Sequence, residues 1–218
     1  MHLNLTQPEP VRAPMAAVFA NHLLLAEYIH RSANDFAVVC AEVDVAGQET
    51  TLERARDRLD TVVERLYSLA AIQRLLQPPE LEVMDLGNEL GDLCHHHAQA
   101  RFAEQGVFVQ LRAANIELDS ERGWALLMIV SELLTNAARH AFERPGGFVK
   151  VDLIRCGEEL VCLVSDDGVG MGGHRPAAKP RMGTAIVQEL ARNAGIRMNA
   201  HHCSIGTMFE MRMPLLPN

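Results

Sequence analysis

Between residues 52 and 76, apolar side chains step by threes and fours: Leu52, Ala55, Leu59, Val62, Leu66, Leu69 and Leu76, with Gln73 as the one polar break. A strand alternates every second residue and would split this set between two faces, so the spacing predicts a helix carrying a narrow heptad seam. From Met15 to about Val45 the same steps recur at Leu25, Ile29, Ser32, Phe36, Val39 and Val43, and GQET at 47–50 is a turn followed by a cap-like Thr. The two segments predict a helical hairpin over residues 15–77. One hairpin cannot bury such a seam alone. It is expected to pair with a second copy as a four-helix bundle, making a homodimer. The alternative is a hairpin packed on the rest of its own chain.

Pro78 and Pro79 end the second helix and stiffen a junction. Residues 1–14, with three prolines, read as a loose lead-in, and residues 82–218 as a separate domain. There the pattern predicts helices over 85–103, from Asp119 or Ser120 onward, and over 183–194. It predicts strands over 107–113, 147–155 and 159–167, and two more at the C-terminal end. Mixed helices and mostly antiparallel strands give an α+β class with a two-layer α/β sandwich.

A net charge of −8 with no Lys/Arg run argues against a nucleic-acid partner. The longest apolar run, WALLMIV, is broken by Ser131 and Glu132, so no membrane span is expected, and MHLNLTQPEP has neither the charged n-region nor the apolar core of a secretory leader, so none is expected from it. Five cysteines without a CxxC fit free thiols in a reducing, cytoplasmic compartment.

SELLTNAARHAF, residues 131–142, carries a polar stripe of Glu132, Asn136, Arg139 and His140, continued by Glu143, on an otherwise apolar helix. A helix that apolar sits against a core, so the stripe must face something other than plain solvent. The strand ELVCLVSDD runs into DDGVGMGG, where Asp166 is followed by Gly168 and Gly170. A carboxylate there suits an exocyclic amine, and the glycines let backbone approach a ligand. Taken alone, DGVG is an ordinary tight turn. RMGTAIV then places Gly183 at a helix start, a phosphate-attracting position, and GTMFEMRMP brings Thr207 into a final strand. Four weak signals in this order make a strong one. CHHHA (94–98) and HHC (201–203) lack convergent spacing, and no structural zinc is expected from them.

In this order the motifs resemble the GHKL (Bergerat) ATP-binding family over about residues 85–215. SELLTNAARHAF resembles its N box, SDDGVGM its G1 box, MGTAIV its G2 box and GTMFEMRMP its closing Gly-Thr strand. The resemblance implies ATP and Mg²⁺ as cofactors. Asn136 would hold the metal, and Glu132 would support it or polarise the attacking group. Asp166 would bind the adenine amine, Gly168, Gly170 and Gly183 would clear room for nucleotide, and Arg139 and His140 would lie near the phosphates. LAEYIHRSANDF resembles the phosphoacceptor helix of histidine kinases of the His-Arg-x-x-Asn group, related to the HWE kinases, with Glu27, His30, Arg31 and Asn34 matched. That implies autophosphorylation of His30, with Glu27 or Glu132 orienting it or taking its proton, and transfer to an Asp of a response-regulator receiver domain. The input would come from a separate sensor protein or from residues 1–20. Ala33 stands where the group has Lys, and Arg181 and Thr184 replace a Gly and a Leu of the G2 box. The basic loop 172–182 reads either as a short lid whose cations replace backbone contacts or as a degraded site. A non-catalytic phosphotransfer or scaffold protein and an anti-sigma-type serine kinase remain as alternatives.

Overall fold

In the computed structural model, residues 32–170, 182–202 and 205–216 are described. Glu27, His30, Arg31, Arg181 and most of the basic loop fall outside them. The chain is helical over 32–47 (α1) and again over Leu52–Leu75 (α2). Thr51 caps α2, its hydroxyl accepting the Arg54 N–H at 3.4 Å. Arg58 pairs with Glu49 and Arg65 with Glu42. As one partner advances by seven residues the other retreats by seven, so α1 and α2 run antiparallel.

The seam of α2 divides. Leu52, Leu59 and Leu66 are 87%, 42% and 36% exposed. Leu69 and Leu76 instead pack, with Leu75, on the main core, which the neighbouring Ile72 joins. The Trp124 indole N–H donates to the Leu76 carbonyl at 3.0 Å and fastens this end of α2 to the α/β part.

A two-stranded ribbon of β1 (Val83–Asp85) and β3 (Glu117–Asp119) precedes the long helix. Three-residue strands are too short to show a period, and the sequence reading misses both. Asp85 caps α3 (Leu86–His97), accepting the Asn88 N–H at 3.2 Å. The helix then widens to a π turn over Ala98–Phe102 and tightens to a 3₁₀ turn over Ala103–Gln105. Asp119 caps α4 (Ser120–His140), accepting the Arg122 N–H at 3.0 Å.

The main sheet has the order β2-β4-β5-β7-β6, built from β2 (Val107–Ala113), β4 (Gly147–Cys156), β5 (Glu159–Asp166), β6 (Arg197–His202) and β7 (Thr207–Pro214). Only β2 and β4 are parallel, because the chain crosses from one to the other through β3 and α4; the other pairs are antiparallel. Val149, Val151 and Leu153 on β4 alternate inward and meet Leu126, Leu127, Ile129 and Leu134 of α4. Each such side chain contributes about 1.5–3 kcal/mol on burial. A last helix, α5 (Met182–Asn193), adds Val187, Leu190 and Ala191 to the same core. The class is α+β with a mixed sheet. No helix among the described residues is long and apolar enough to cross a membrane.

Candidate functional site

The last turns of α4 lie beside the exit of β5, and between them opens a cleft of about 530 Å³. That volume is typical of small-molecule sites. Glu132, Asn136, Arg139, His140 and Glu143, the polar stripe of the sequence, all line it. The stripe therefore faces a cavity. Glu132 is buried, and its Oε1 accepts the Asn136 side-chain N–H at 3.1 Å. That bond turns the amide so that Asn136 Oδ1 points away from Glu132. A neutral amide oxygen beside a carboxylate is a hard donor set that fits Mg²⁺, which takes few protein oxygens and keeps waters and phosphate oxygens. Arg139 and His140 are exposed at the rim.

The cleft also has apolar walls. Val149, Val164, Val169, Phe142 and Phe209 line it together with the Asp166 carboxylate. Asp166 accepts the Gly168 N–H at 3.0 Å. Burial raises its pKa above the ordinary aspartate value; the backbone N–H groups of Gly168 and Thr207 oppose that rise, and Asp167 adds to it. Asp167 serves the loop instead. Its Oδ1 accepts the Phe148 N–H at 2.7 Å and ties the loop to β4.

The glycines are fixed by close packing. A Cβ on Gly168 would lie 2.6 Å from the Ala141 carbonyl carbon and 2.7 Å from Ala141 Cβ. Gly168 thus clears room for the end of α4 rather than for the cleft, which it does not line. The adjoining Val169 N–H donates to the Ala141 carbonyl at 2.8 Å. Gly170, at φ +69°, does line the cleft and passes within 2.9 Å of the Gly206 carbonyl oxygen, measured from the position its Cβ would take. Thr207 pairs with Asp166 across β5 and β7 and also lines the cleft. Gly183 is the second residue of α5.

The walls Phe142 and Phe209 were not singled out by sequence. Both sit inside the quoted motifs, but a search for chemical groups passes over the apolar residues that shape a cavity. The histidines of CHHHA diverge. His97 is buried, its Nε2 lying 3.0 Å from Ser131 Oγ, while His95 and His96 meet edge to face at 5.2 Å. Among the described residues no group of three His, Cys, Asp or Glu side chains is placed to hold a metal.

Similar proteins point the same way. A blue-light-activated histidine kinase of Erythrobacter litoralis is 27% identical over 204 residues, covering 88% of this chain and 57% of the relative. The sensor histidine kinase PdtaS of Mycolicibacterium smegmatis is 28% identical over 178 residues, covering 80% of this chain and 36% of the relative. The chain thus spans about half or less of the length of these relatives. Among solved structures, the histidine kinase domain of the Erythrobacter litoralis EL346 protein aligns with a TM-score of 0.56 at 24% identity, over 80% of this chain and 92% of that one. A bacterial phosphotransferase aligns with a TM-score of 0.63 at 15% identity, over 93% and 98%. At those identities the two structures speak for the fold alone. A model of the histidine kinase-like ATPase domain matches residues 95–210, more than half of the sequence and all of the cleft just described, and the chain belongs to that family.

Proposed function

We propose that this chain is an ATP-dependent protein-histidine kinase of the cytoplasm. It would autophosphorylate His30 and pass the phosphoryl group to an Asp of a response-regulator receiver domain. The carrying observation is the make-up of the cleft: the half-buried Asp166 carboxylate and apolar side chains line it together with the Glu132–Asn136 pair. ATP offers groups to match both. Its adenine amine suits Asp166, and its phosphates with Mg²⁺ suit the Glu132–Asn136 pair, with Arg139 and His140 also lining the cleft.

Phosphoryl transfer needs positioning and charge neutralisation more than covalent help from the protein. A bound Mg²⁺ would supply part of that neutralisation, with Asn136 and Glu132 as its protein ligands. A neutral imidazole nitrogen of His30 attacks the γ-phosphorus in line, forming N–P as the P–O bond to ADP breaks. The ring proton then passes to Glu27 or Glu132. Residues 15–77 would form the phosphotransfer hairpin and residues 82–218 the ATP-binding domain, with a separate protein as the source of the signal.

Incubation with γ-labelled ATP·Mg²⁺ tests this reading. Acid-labile label is expected on the wild type and none on His30→Ala, which should still bind nucleotide. Undiminished label on that variant rules out the site, and acid-stable label points instead to a serine kinase.

The hairpin is also proposed to dimerise. Leu52, Leu59 and Leu66 lie open on one stripe, with Phe36 and Val43 of α1 exposed nearby. In a four-helix bundle they would be covered. Leu66→Glu would bury an unpaired carboxylate there and should weaken association by several kcal/mol, on the order of 3–5. Light scattering checks it: a wild-type monomer at tens of micromolar, or a dimeric Leu66→Glu protein, would show the claim to be wrong.

A further inference from the structure

The segment 98–105 touches both the helical hairpin and the cleft. On the hairpin side, Arg101 makes a bidentate ion pair with Asp35 of α1, at 2.9 Å for each nitrogen, with both side chains only 12% exposed. Three residues on, Glu104 pairs at 3.2 Å with Arg65 of α2, which also holds Glu42.

On the cleft side, Gln105 grips both ends of the stretch that lines the cavity. Its side-chain N–H donates to the Ala138 carbonyl at 3.0 Å, and its backbone carbonyl accepts the Gly146 N–H at 2.7 Å. Between those two points lie Arg139, His140, Ala141, Phe142 and Glu143, all of them cleft residues. Phe102 is fully buried and meets Phe142 edge to face, with ring centroids 6.4 Å apart. The Ala141 carbonyl then accepts the Val169 N–H, which extends the connection to the Asp166 loop.

The backbone of this segment departs from α-helix at the place where the contacts diverge. A π turn inserts extra backbone and is frequent at functional sites. Here it lets Arg101 face α1 while the adjacent Phe102 stays in the core. A largely buried ion pair adds little net stability compared with apolar packing, but it fixes one arrangement against others. We propose that residues 98–105 form a strut that couples the position of the hairpin to the shape of the nucleotide cleft. Asp35, Arg101, Arg65 and Glu104 form its hairpin end, and Phe102 and Gln105 its cleft end. A docked hairpin holds the 138–146 stretch in place. A displaced hairpin releases it, and nucleotide binding must then also order that stretch.

The nucleotide half of this proposal rests on the function proposed above, so two readouts are needed on the full chain. One is the Kd for a non-hydrolysable ATP analogue with Mg²⁺. The other is deuterium exchange at residues 138–146 without nucleotide. Asp35→Asn should raise Kd about fivefold, the low end of ordinary allosteric coupling, and speed that exchange. In a Gln105→Met background, which removes the side-chain bond to Ala138 and leaves the backbone bond to Gly146 and the Phe102–Phe142 contact, the same substitution should have a smaller effect on both readouts. The exchanged pair, Asp35→Arg with Arg101→Asp, should restore both readouts, which loss of packing would not. Glu104→Gln breaks the more exposed contact without endangering folding and should act in the same direction, less strongly.

Unchanged exchange in both Asp35→Asn and Glu104→Gln, or additive effects with Gln105→Met, would overturn the strut. A wild type that binds no nucleotide, but whose exchange responds as described, would sink the proposed function and leave the strut standing.

Discussion

A Gly206→Ala variant is expected to melt about 10 °C below the wild type and to lose nucleotide binding. Gly206 sits at φ +75°, and a Cβ there would lie 2.7 Å from the Asp166 carbonyl carbon and 3.0 Å from Asp167 Cα. All of the obstructing atoms are backbone, so no side chain can turn aside. Left-handed strain and overpacking each cost about 1–3 kcal/mol, and together about 4. For a chain of this size that converts to the stated fall in Tm. The lost binding follows because relief must push β7 away from Asp166, and Thr207 moves with it. Gly157→Ala separates the two costs. Gly157 has φ +62° but nothing within 4 Å of the added carbon. It should lose only the conformational part, about 1 kcal/mol, and keep binding. Differential scanning calorimetry and nucleotide titration on the two variants decide the matter. Equal losses would show that the close approach at Gly206 is unimportant.

Asp166→Asn is expected to weaken ATP binding by roughly ten- to a hundredfold, the worth of one hydrogen bond to a charged group. An amide must orient its single oxygen, whereas a carboxylate accepts on either side. The wild type should also lose affinity on acidification. Its Asp166 pKa is raised by burial, so protonation sets in above the ordinary aspartate value of 3.8. The acceptor is then lost, and the pH response should flatten in the variant. Stability runs the other way. A raised folded-state pKa contributes stability below the unfolded value, and that contribution is lost as pH rises through the folded value. At neutral pH the charged group therefore strains the folded state, and Asp166→Asn should melt no lower than wild type. Weak binding in a protein of undiminished Tm would place the defect in recognition. Wild-type affinity in the variant would mean that Asp166 does not meet the adenine.

Several features were legible because they are local. The seam of α2, the caps at Thr51 and Asp119 and the spacing of Glu132 and Asn136 follow from helical period and capping chemistry. Asp166 and Gly206 announced themselves as a carboxylate and a glycine at strand ends. Other features depend on neighbours far along the chain. Sequence assigned Gly168 to the nucleotide, but its missing Cβ serves Ala141, twenty-seven residues earlier.

The seam gave no sign that Leu69 and Leu76 would pack on the core of the α/β part while Leu52, Leu59 and Leu66 stayed open. All of these residues are apolar, and the period records only which side of the helix they share. Nor did LCHHHAQARF betray a π turn, because one extra residue in a helical turn hardly disturbs its composition. What brings Arg101 to Asp35 and Gln105 to Ala138 is the packing of α3 between hairpin and sheet. Local sequence thus determined the long helices and the main-sheet strands and the chemistry at the strand ends, but not the short ribbon of β1 and β3. Tertiary packing decided which surfaces meet, because contact between residues separated by thirty to seventy positions depends on every element that folds between them.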